Sequence, residues 1–560
     1  MRWRDGSRSI GTLVAVCVSV ALLGAAPAGA AHRADVATPR FVDETATSGL
    51  EHVYRYGVTD EVPDGGFEFV VGGGVAVLDC DDDGRPDLYL AGGSGPAALY
   101  RNESPAGGPL RFTRLPDATT DLAQVSGAYP LDVDSDGNLD LVALRHGENI
   151  LLRGLGGCRF EPANERLGLD PGNDWTTAFS ATWEPGARLP TLAFGSYQAT
   201  DESGKLTAGC GENRLFEPAP DATAYGPAMV LAPGWCTLSM LFSDWDRSGR
   251  RDLRISNDRA SYVREGQEQL WRMSSGESPT EYTEKDGWER VMIYGMGIAS
   301  HDLDGDGYPE VYLTSMFGNR LETLAGGPDR PAYRNVAEKL GVGSGFPIAG
   351  GDKGPSTSWH PEFQDVNNDG LVDLFVTKGN VEAMPDRALA DPSSLMLGTP
   401  SGRFVERTKA ADIIDFASAR GAAVVDLDLD GMLDIVRVNL GEPAQVMRNV
   451  GAGDAQRAVP MGHWLALELV QPGRNPDAVG AWIEVKAGGR TQRRELTVGG
   501  GHISGQASWI HFGLGDAKRA EIRVQWPDGT WGPWQAVEAD GFRVIERGAS
   551  APTAWEPGPD

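Results

Sequence analysis

Six short segments of the sequence carry acidic side chains at one fixed spacing. Each has the pattern D-x-[DN]-x-[DNS]-G-x-x-[DE] and is followed by apolar residues that favour β-strands. Oxygen-bearing side chains at positions 1, 3 and 5 alternate, so they converge on one point, and glycine at position 6 permits a sharp turn. Position 7 offers a backbone carbonyl, and the acid at position 9 completes the coordination shell of a metal ion. About six or seven hard oxygen donors of this kind suit Ca²⁺.

The pattern therefore predicts five calcium-ligand positions in each loop, with position 7 contributing only its carbonyl oxygen. Magnesium prefers fewer protein ligands, and zinc prefers His or Cys. An EF-hand needs Glu at position 12, where this chain has Leu90, Ala143 and Leu313. We expect about six structural Ca²⁺ sites, formed by Asp79, Asp81, Asp83, Arg85 and Asp87; Asp132, Asp134, Asp136, Asn138 and Asp140; Asp244, Asp246, Ser248, Arg250 and Asp252; Asp302, Asp304, Asp306, Tyr308 and Glu310; Asp365, Asn367, Asp369, Leu371 and Asp373; and Asp426, Asp428, Asp430, Met432 and Asp434.

The loops recur with a period that predicts the architecture. Their starts are 53 to 63 residues apart, except for one interval of 112 residues that is about twice the others. We expect a degenerate repeat midway, at 182–193. A period near 60 with about four short β-runs and no helical periodicity is typical of propeller blades. The sequence predicts an all-β, seven-bladed β-propeller with six calcium-loop blades and one degenerate blade. The N-terminal run 40–43 is expected to complete the last blade.

The C-terminal part, 458–548, has no acidic loop. It contains alternating runs at 464–470, 481–486 and 520–526, which predict a small antiparallel β-sandwich. Trp526, Trp531 and Trp534 crowd its end. Their rings suit either a buried core or the stacking of a sugar face.

These segments resemble a known family. The acidic loops are similar to the FG-GAP/VCBS repeats of integrin-type propellers, and 296–307 and 420–431 resemble the cartilage-acidic-protein-like group. In the C-terminal part, 475–485, 500–506 and 511–515 resemble an ASPIC/UnbV domain. The resemblance implies a secreted calcium-binding propeller, and some family members accompany natural-product biosynthesis clusters. The chain departs from the family in its degenerate third repeat and in the long segment 341–362.

The N-terminus and the cysteines indicate the compartment. Arg2, Arg4 and Arg8 precede an apolar stretch and a small-residue site near Ala30, which predicts a secretory signal peptide over 1–30. We expect a propeller over 31–457, the sandwich over 458–548, a flexible tail over 549–560, and no membrane span after cleavage. The predicted location is secreted or periplasmic. The remaining cysteines are Cys80, Cys158, Cys210 and Cys236. They permit three pairings, of which Cys210–Cys236 is favoured because both lie in one irregular region.

Charge and motif content bear on function. The formal charge of −29 argues against a nucleic-acid partner. No GxSxG, HExxH or P-loop motif occurs. The sequence therefore favours a binding or adhesion module for an extracellular ligand, with a glycan or protein preferred over a small molecule. The alternative is an enzyme that uses the propeller mouth in secondary-metabolite or polysaccharide processing, with His360, Lys353 or Lys378 as candidates. His301 and His360, each close to a loop, are also compatible with ordinary loop histidines.

Overall fold

A computed structural model describes residues 36–57, 69–219, 221–258, 265–274, 276–343 and 345–558. The predicted signal peptide lies outside these residues. Strands dominate the described chain, and its three helices are single turns of four residues, so none of them could cross a bilayer. The all-β prediction is confirmed.

Most strands belong to successive antiparallel sheets of four or five strands. The described chain begins with β1 (Arg40–Asp43) and α1 (Thr45–Ser48). The first three sheets comprise β2 (Val75–Leu78), β3 (Asp87–Leu90), β4 (Ala98–Asn102) and β5 (Phe112–Arg114); β6 (Val125–Leu131), β7 (Asp140–Arg145), β8 (Ile150–Gly154) and β9 (Phe160–Pro162), followed by α2 (Asn164–Leu167); and β10 (Trp175–Thr182), β11 (Thr191–Thr200), β12 (Leu206–Cys210), β13 (Asn213–Phe216) and β14 (Met229–Leu231).

Four further sheets follow in the same manner, which gives seven such sheets in the described residues. They comprise β15 (Thr237–Ser243), β16 (Asp252–Asn257), β17 (Gln269–Arg272) and β18 (Thr280–Glu281); β19 (Gly295–His301), β20 (Glu310–Ser315), β21 (Arg320–Leu324) and β22 (Tyr333–Asn335), followed by α3 (Ala337–Leu340); β23 (Ser358–Gln364), β24 (Asp373–Lys378), β25 (Ser394–Gly398) and β26 (Phe404–Glu406); and β27 (Ala419–Val425), β28 (Asp434–Asn439) and β29 (Gln445–Gly451).

The sheets form a closed ring around a central channel. The first strand of each sheet packs against the first strand of the next, and β27 contacts β2. These inner strands are almost wholly buried, since both faces of each strand meet neighbouring sheets. Apolar clusters between adjacent sheets, such as the one that joins β2, β6 and β28, form the core. This arrangement is a β-propeller, and we call its sheets blades one to seven in chain order.

The N-terminal strand closes the ring. β1 pairs antiparallel with β29 and supplies the outer strand of blade seven, as the sequence predicts. The buried Arg448 of β29 donates through Nε to Oε1 of Glu44, the residue that follows β1, at 2.8 Å. The last blade is therefore built from both ends of the propeller sequence.

Two further sheets lie C-terminal to the propeller. Their strands are β30 (His463–Val470), β31 (Trp482–Ala487), β32 (Arg490–Glu495), β34 (Ile510–Gly515), β35 (Arg519–Gln525), β36 (Gln535–Glu538), β37 (Phe542–Glu546) and β38 (Thr553–Trp555). The strand between β32 and β34, which is β33 (Gly505–Ala507), belongs to the sheet of β2 instead. The sheet orders are β34-β30-β37-β38 and β32-β31-β35-β36, with apolar side chains between them. The two sheets form the predicted small sandwich, whose strand pairs are antiparallel except for β30 and β37, which run parallel. Within 549–560, the predicted flexible tail, β38 pairs with β37.

One segment of the C-terminal domain enters the propeller channel. We call residues 496–507 the plug. Val498, Gly499 and Gly501 form backbone bridges to the inner strands of blades three, four and five, and β33 pairs parallel with β2 of blade one. Gly499 and Gly501 have φ of 125° and 57°, and a Cβ on either would overlap neighbouring atoms. Only glycine therefore permits this close approach.

Two disulfides join segments that are distant in the chain. Cys210 pairs with Cys236, which confirms the favoured pairing, and Cys80 pairs with Cys158. The second bond links blade one to blade two, because Cys80 lies at position 2 of the first acidic loop and Cys158 lies in the β8–β9 turn.

Candidate metal centres

The six acidic loops share one backbone conformation. Each connects the first and second strands of its blade, so all six lie on one face of the ring, which we call the loop face. Position 6 is glycine with φ between 79° and 96°, and position 4 is also left-handed even where it is Leu429. The position-6 N–H donates to the position-1 carboxylate in every loop, as from Gly431 to Asp426 at 2.8 Å.

The acid at position 9 fastens each loop to its blade. In blade seven, Asp434 Oδ2 accepts the N–H of Leu427 at 2.9 Å, and Oδ1 accepts the N–H of Asn449 at 2.7 Å. Blades one, two and six repeat this pair of bonds at Asp87, Asp140 and Asp373. The position-9 carboxylate thus joins the loop to the third strand, while its remaining lone pairs face the other acids.

Four loops bring three carboxylates close enough to share one ion. One oxygen from each of three acids lies within 4.8 Å of the others in the groups Asp79, Asp81 and Asp87; Asp132, Asp134 and Asp136; Asp302, Asp304 and Asp306; and Asp426, Asp428 and Asp434. These are the predicted ligands of blades one, two, five and seven.

Unpartnered oxygens at position 3 indicate that the loops of blades one, two and seven suit a cation. Asp81 Oδ1, Asp134 Oδ1 and both oxygens of Asp428 are buried and accept no hydrogen bond from the described residues. A buried carboxylate without a partner is costly. Burial, with the neighbouring carboxylates adding to it, raises the pKa of Asp87 and of Asp140 to about 8. A bound Ca²⁺ would supply the missing positive charge, and the hard oxygen donors fit it.

The loop of blade four holds a guanidinium among its acids. Arg250 donates to both oxygens of Asp252, at 2.8 and 3.1 Å, and its Nη2 lies 3.6 Å from Asp246 Oδ2. Trp245 Nε1 and the Tyr282 hydroxyl also donate to Asp252. The sequence pattern assigns only the carbonyl of Arg250 to the site, whereas here its side chain compensates the carboxylates. The loop of blade two has a similar feature, because Arg153 donates to Asp134 and Asp136 and Arg166 donates to Asp134. In both loops a side-chain cation occupies carboxylate oxygens that a metal ion would need.

The loops of blades six and three differ from the rest in composition. In blade six, Asn367 replaces the second carboxylate, and its amide donates to Asp369 Oδ2 at 3.2 Å. In blade three, residues 183–190 connect β10 and β11 through a turn in which Ala187 N–H bonds to Glu184 O at 2.9 Å. This turn stands where the degenerate repeat is predicted.

Two family comparisons agree with this organisation. The FG-GAP-like repeat family matches residues 79–143 and 365–437, and the ASPIC and UnbV family matches 471–552. The chain therefore contains FG-GAP-like repeats and a C-terminal ASPIC/UnbV domain. No curated protein sequence matches it.

Solved structures with a similar course of the chain include several propellers. An Agrocybe aegerita lectin that recognises non-reducing terminal N-acetylglucosamine has 14% identity and a TM-score of 0.38, with 67% of this chain and 93% of that chain covered. The N-terminal part of BBS1 in complex with ARL6 has 10% identity and a TM-score of 0.39, with 73% and 96% covered. The Dos1 propeller has 10% identity and a TM-score of 0.35, with 74% and 95% covered. Similarity this low carries no argument about a ligand.

The ASPIC/UnbV domain covers the loop face. It contacts the acidic loops of six blades and the degenerate turn of blade three. The contacts include Trp509 Nε1 to Gly84 O, Asn475 N to Ser135 Oγ, Arg474 to Gly186 O, Arg247 over the Trp482 ring, Arg493 to Asp302, His511 to Asn368 and Trp464 against Gly431. The candidate metal centres therefore lie beneath this domain, and any ion that orders a loop also orders the interface.

The candidate residues His301, His360, Lys353 and Lys378 do not converge on one site at the entrance of the propeller channel. His301 ends β19 and His360 lies within β23, and both are buried beside the plug rather than on loops. Lys378 is buried at the end of β24, where Asp391 opposes the burial that lowers its pKa. Lys353 is exposed on the segment between α3 and β23.

The three tryptophans of the ASPIC/UnbV domain have different roles. Trp526 packs in the sandwich core. The Arg523 guanidinium lies 4.0 Å from the Trp531 ring and 4.5 Å from the Trp534 ring, and Lys486 lies 3.6 Å from Trp534. The rings of Trp531 and Trp534 therefore stack with cationic side chains of their own domain.

Proposed function

We propose that this protein is a secreted, calcium-stabilised binding module that holds an extracellular glycan or protein on the propeller face opposite the ASPIC/UnbV domain. Calcium is structural in this proposal. The ions hold the acidic loops of blades one, two, five and seven in the conformation on which the C-terminal domain rests.

The covered loop face is the observation that carries this proposal. The ASPIC/UnbV domain occupies one face of the ring, and the plug fills the channel from that side. A ligand of any size then has the opposite face available. Two disulfides support an extracellular setting, because such bonds persist in oxidising compartments.

The opposite face carries exposed apolar side chains on blades five to seven. Phe317, Phe346, Leu389 and Phe416 are exposed by 47 to 61%, and they lie on connections at the ends of the strands remote from the acidic loops. The Arg387 guanidinium lies 4.1 Å from the Phe317 ring. Exposed aromatic groups of this kind are common where proteins bind other molecules.

Glycan-array and extracellular-protein binding assays, each run with calcium and with EDTA, test the proposal. We expect binding in calcium that falls at least tenfold in the double variant Phe317→Ala/Phe416→Ala. The matched control, Trp531→Ala, removes an exposed ring from the C-terminal domain and should leave binding unchanged. Equal loss in both variants would contradict the assignment to this face.

The enzymatic alternative gains no support from the three side chains considered for it. The Nδ1 atom of His360 accepts the backbone N–H of His502 at 3.0 Å, so the ring is committed to the plug. Lys378 is buried, whereas Lys353 is exposed. Binding is therefore the function that the geometry supports best.

A further inference from the structure

A polar cavity lies in the propeller channel between the inner strands and the plug. Its volume is about 170 Å³. Apolar inner-strand residues form part of its wall, and the polar part includes His301, His360, Glu362, Gln364, Arg494 and Gln506. Blades five and six supply four of these residues, while β32 and the plug supply the other two. Glu495 of β32 also lines the cavity, and its carboxylate accepts the Ser243 hydroxyl and the Asp244 N–H. The ASPIC/UnbV domain thus completes a chamber that the propeller alone would leave open.

The carboxylate in this chamber already has its hydrogen-bond partners. Glu362 Oε1 accepts from Gln364 Nε2 at 2.9 Å and from Gln506 Nε2 at 2.5 Å. Its Oε2 accepts the backbone N–H of Val424 at 3.0 Å and lies 3.5 Å from His360 Nε2. Four donors surround this one side chain. Glu362 therefore has little capacity left to bind the cation on the opposite wall.

That cation is Arg494. Its Nη1 donates to Gln364 Oε1 at 3.1 Å, which is the one hydrogen bond that its side chain makes to the described residues. Within that part of the chain, no carboxylate oxygen lies within 4.0 Å of its guanidinium. A guanidinium carries five N–H donors, so the partly exposed Arg494 has donor capacity beyond its bond to Gln364, even with the charge of Glu362 nearby. Every other arginine of β32 that reaches a loop forms a bond to a carboxylate or a carbonyl.

A second unpartnered group lines the same cavity. His301 is 8% exposed, and its Nε2 atom has no hydrogen-bond partner among the described residues. A neutral imidazole can place a proton on this atom and donate it. The chamber thus combines a guanidinium with further donor capacity and an imidazole nitrogen without a partner.

A second pocket adjoins the chamber at His301. This pocket of about 370 Å³ lies between the acidic loops of blades five and six and β32, and His301 lines both spaces. Arg490 is exposed at this outer pocket, and Arg493 also lines it. Asp302 and Asp304 line the same pocket and oppose the positive charge of these two arginines.

We propose that the central chamber binds one small oxyanion, held by the guanidinium of Arg494 with His301 donating from the side. Guanidinium pairs with carboxylates and with tetrahedral oxyanions through parallel hydrogen bonds, so the shared chemistry is a compact group with at least two acceptor oxygens. The cavity volume restricts the ligand to a few heavy atoms. The anion would connect β32 of the ASPIC/UnbV domain to β19 of the propeller.

Retention of anions by the intact, calcium-loaded protein tests the proposal. The protein is equilibrated with sodium formate, acetate or sulfate, separated from free salt in chloride buffer, and unfolded in guanidinium chloride. Ion chromatography then measures the oxyanion released. We expect about one equivalent per chain for at least one of the three probes. The probe that is retained distinguishes a carboxylate ligand from a tetrahedral one.

Two matched variants on β32 locate the site. Arg494→Gln should lower retention at least tenfold, whereas Arg490→Gln, which changes an exposed arginine four residues earlier, should retain the anion as the unchanged protein does. Absence of retention together with absence of saturable binding by calorimetry in the unchanged protein would overturn the proposal, and this result does not depend on the folding of any variant. Retention by a folded Arg494→Gln protein would also overturn it.

Discussion

The backbone N–H of His502 donates to Nδ1 of His360 at 3.0 Å, so the deepest part of the plug is hydrogen-bonded to the inner strand of blade six. On the other side, His502 Nε2 lies 2.8 Å from Val71 O, in the segment before β2. One plug residue therefore connects the sixth blade to the start of the first. The plug thus stabilises the ring as well as attaching the C-terminal domain.

Replacement of Gly501 should loosen this connection. In Gly501→Ala, the new Cβ would lie about 2.5 Å from His360 Cε1, at a backbone φ of 57°. We expect a loss on the order of 1–3 kcal/mol in the free energy of unfolding, since overpacking displaces neighbouring atoms. Chemical denaturation measures this change. Gly226→Ala, at a position with open space around it, serves as the control and should be neutral.

Calcium should reverse the effect of a substitution at Asp428. Both oxygens of Asp428 are buried without partners beside two other acids, so Asp428→Asn removes repulsion when no ion is bound. We expect the variant to melt above the unchanged protein in EDTA and below it in calcium, with calcium affinity lowered roughly tenfold. Differential scanning calorimetry at both conditions checks this.

The matched control for that experiment is Asp246→Asn, in the loop that holds Arg250. Its melting temperature should respond to calcium as the unchanged protein does. A melting temperature of the unchanged protein that is the same in EDTA and in calcium would contradict calcium binding by these loops altogether.

Removal of the Arg250 side chain should make blade four sensitive to calcium. In Arg250→Ala, Asp252 keeps its neutral donors but loses its charge partner, at a cost of roughly 1–3 kcal/mol. Calcium should recover part of this loss by binding the freed carboxylates. Urea denaturation with and without calcium measures the recovery. Arg519→Ala, which removes an exposed arginine, should show no such dependence.

The two disulfides should differ in their contributions to stability. Cys80–Cys158 spans 78 residues and Cys210–Cys236 spans 26. If chain entropy dominates, replacing both cysteines by serine should cost about 4.5 kcal/mol for the first pair and about 3.5 kcal/mol for the second. Denaturant titration of the two double variants gives the comparison. A larger loss at the second pair would show that native-state effects outweigh chain entropy.

Glu268 should make stability depend on pH. Burial raises its pKa in the folded protein to about 8, above the unfolded value, and its Oε2 has no partner in the described chain. The folded state therefore holds the proton more tightly, so the contribution of Glu268 is greatest below about pH 4.5 and declines as the pH rises to about 8. Glu268→Gln should be destabilising or neutral at pH 5 and stabilising at pH 8. The exposed Glu277→Gln should show no such trend.

Local patterns in the sequence account for the blades and the acidic loops. Acids stand at alternate positions, such as Asp79, Asp81 and Asp83, where their side chains can converge, and the same pattern recurs in six of the seven blades. The missing copy near Gly186 and the N-terminal strand at Phe41 follow from the period alone, and both stand where predicted. These features repeat at short range, which makes them visible without a structure.

Contacts between residues that are distant in the sequence cannot be predicted from local patterns. Gly501 belongs to a glycine-rich run that is compatible with any turn, and nothing nearby in the sequence indicates that it lies against His360. The pattern also treats position 7 as a carbonyl donor whatever its side chain, so it overlooks the guanidinium of Arg250 at Asp252. Arg494 stands in a strand that consists wholly of polar residues, and only the fold places its guanidinium within hydrogen-bond distance of Gln364.

Two strand pairings that hold the first blade and the last one together also constrain when the protein can fold. β1 can pair only after β29 has been synthesised, and β2 can form its parallel pairing only after β33 has been synthesised. The Val75 N–H and Ser504 Oγ that meet at this junction are 429 residues apart in sequence. Closing so long a loop is slow and carries a high entropic cost before any contact compensates for it. The ring can therefore become complete only after nearly the entire chain has been synthesised, and a product truncated before residue 505 would expose the edge of β2.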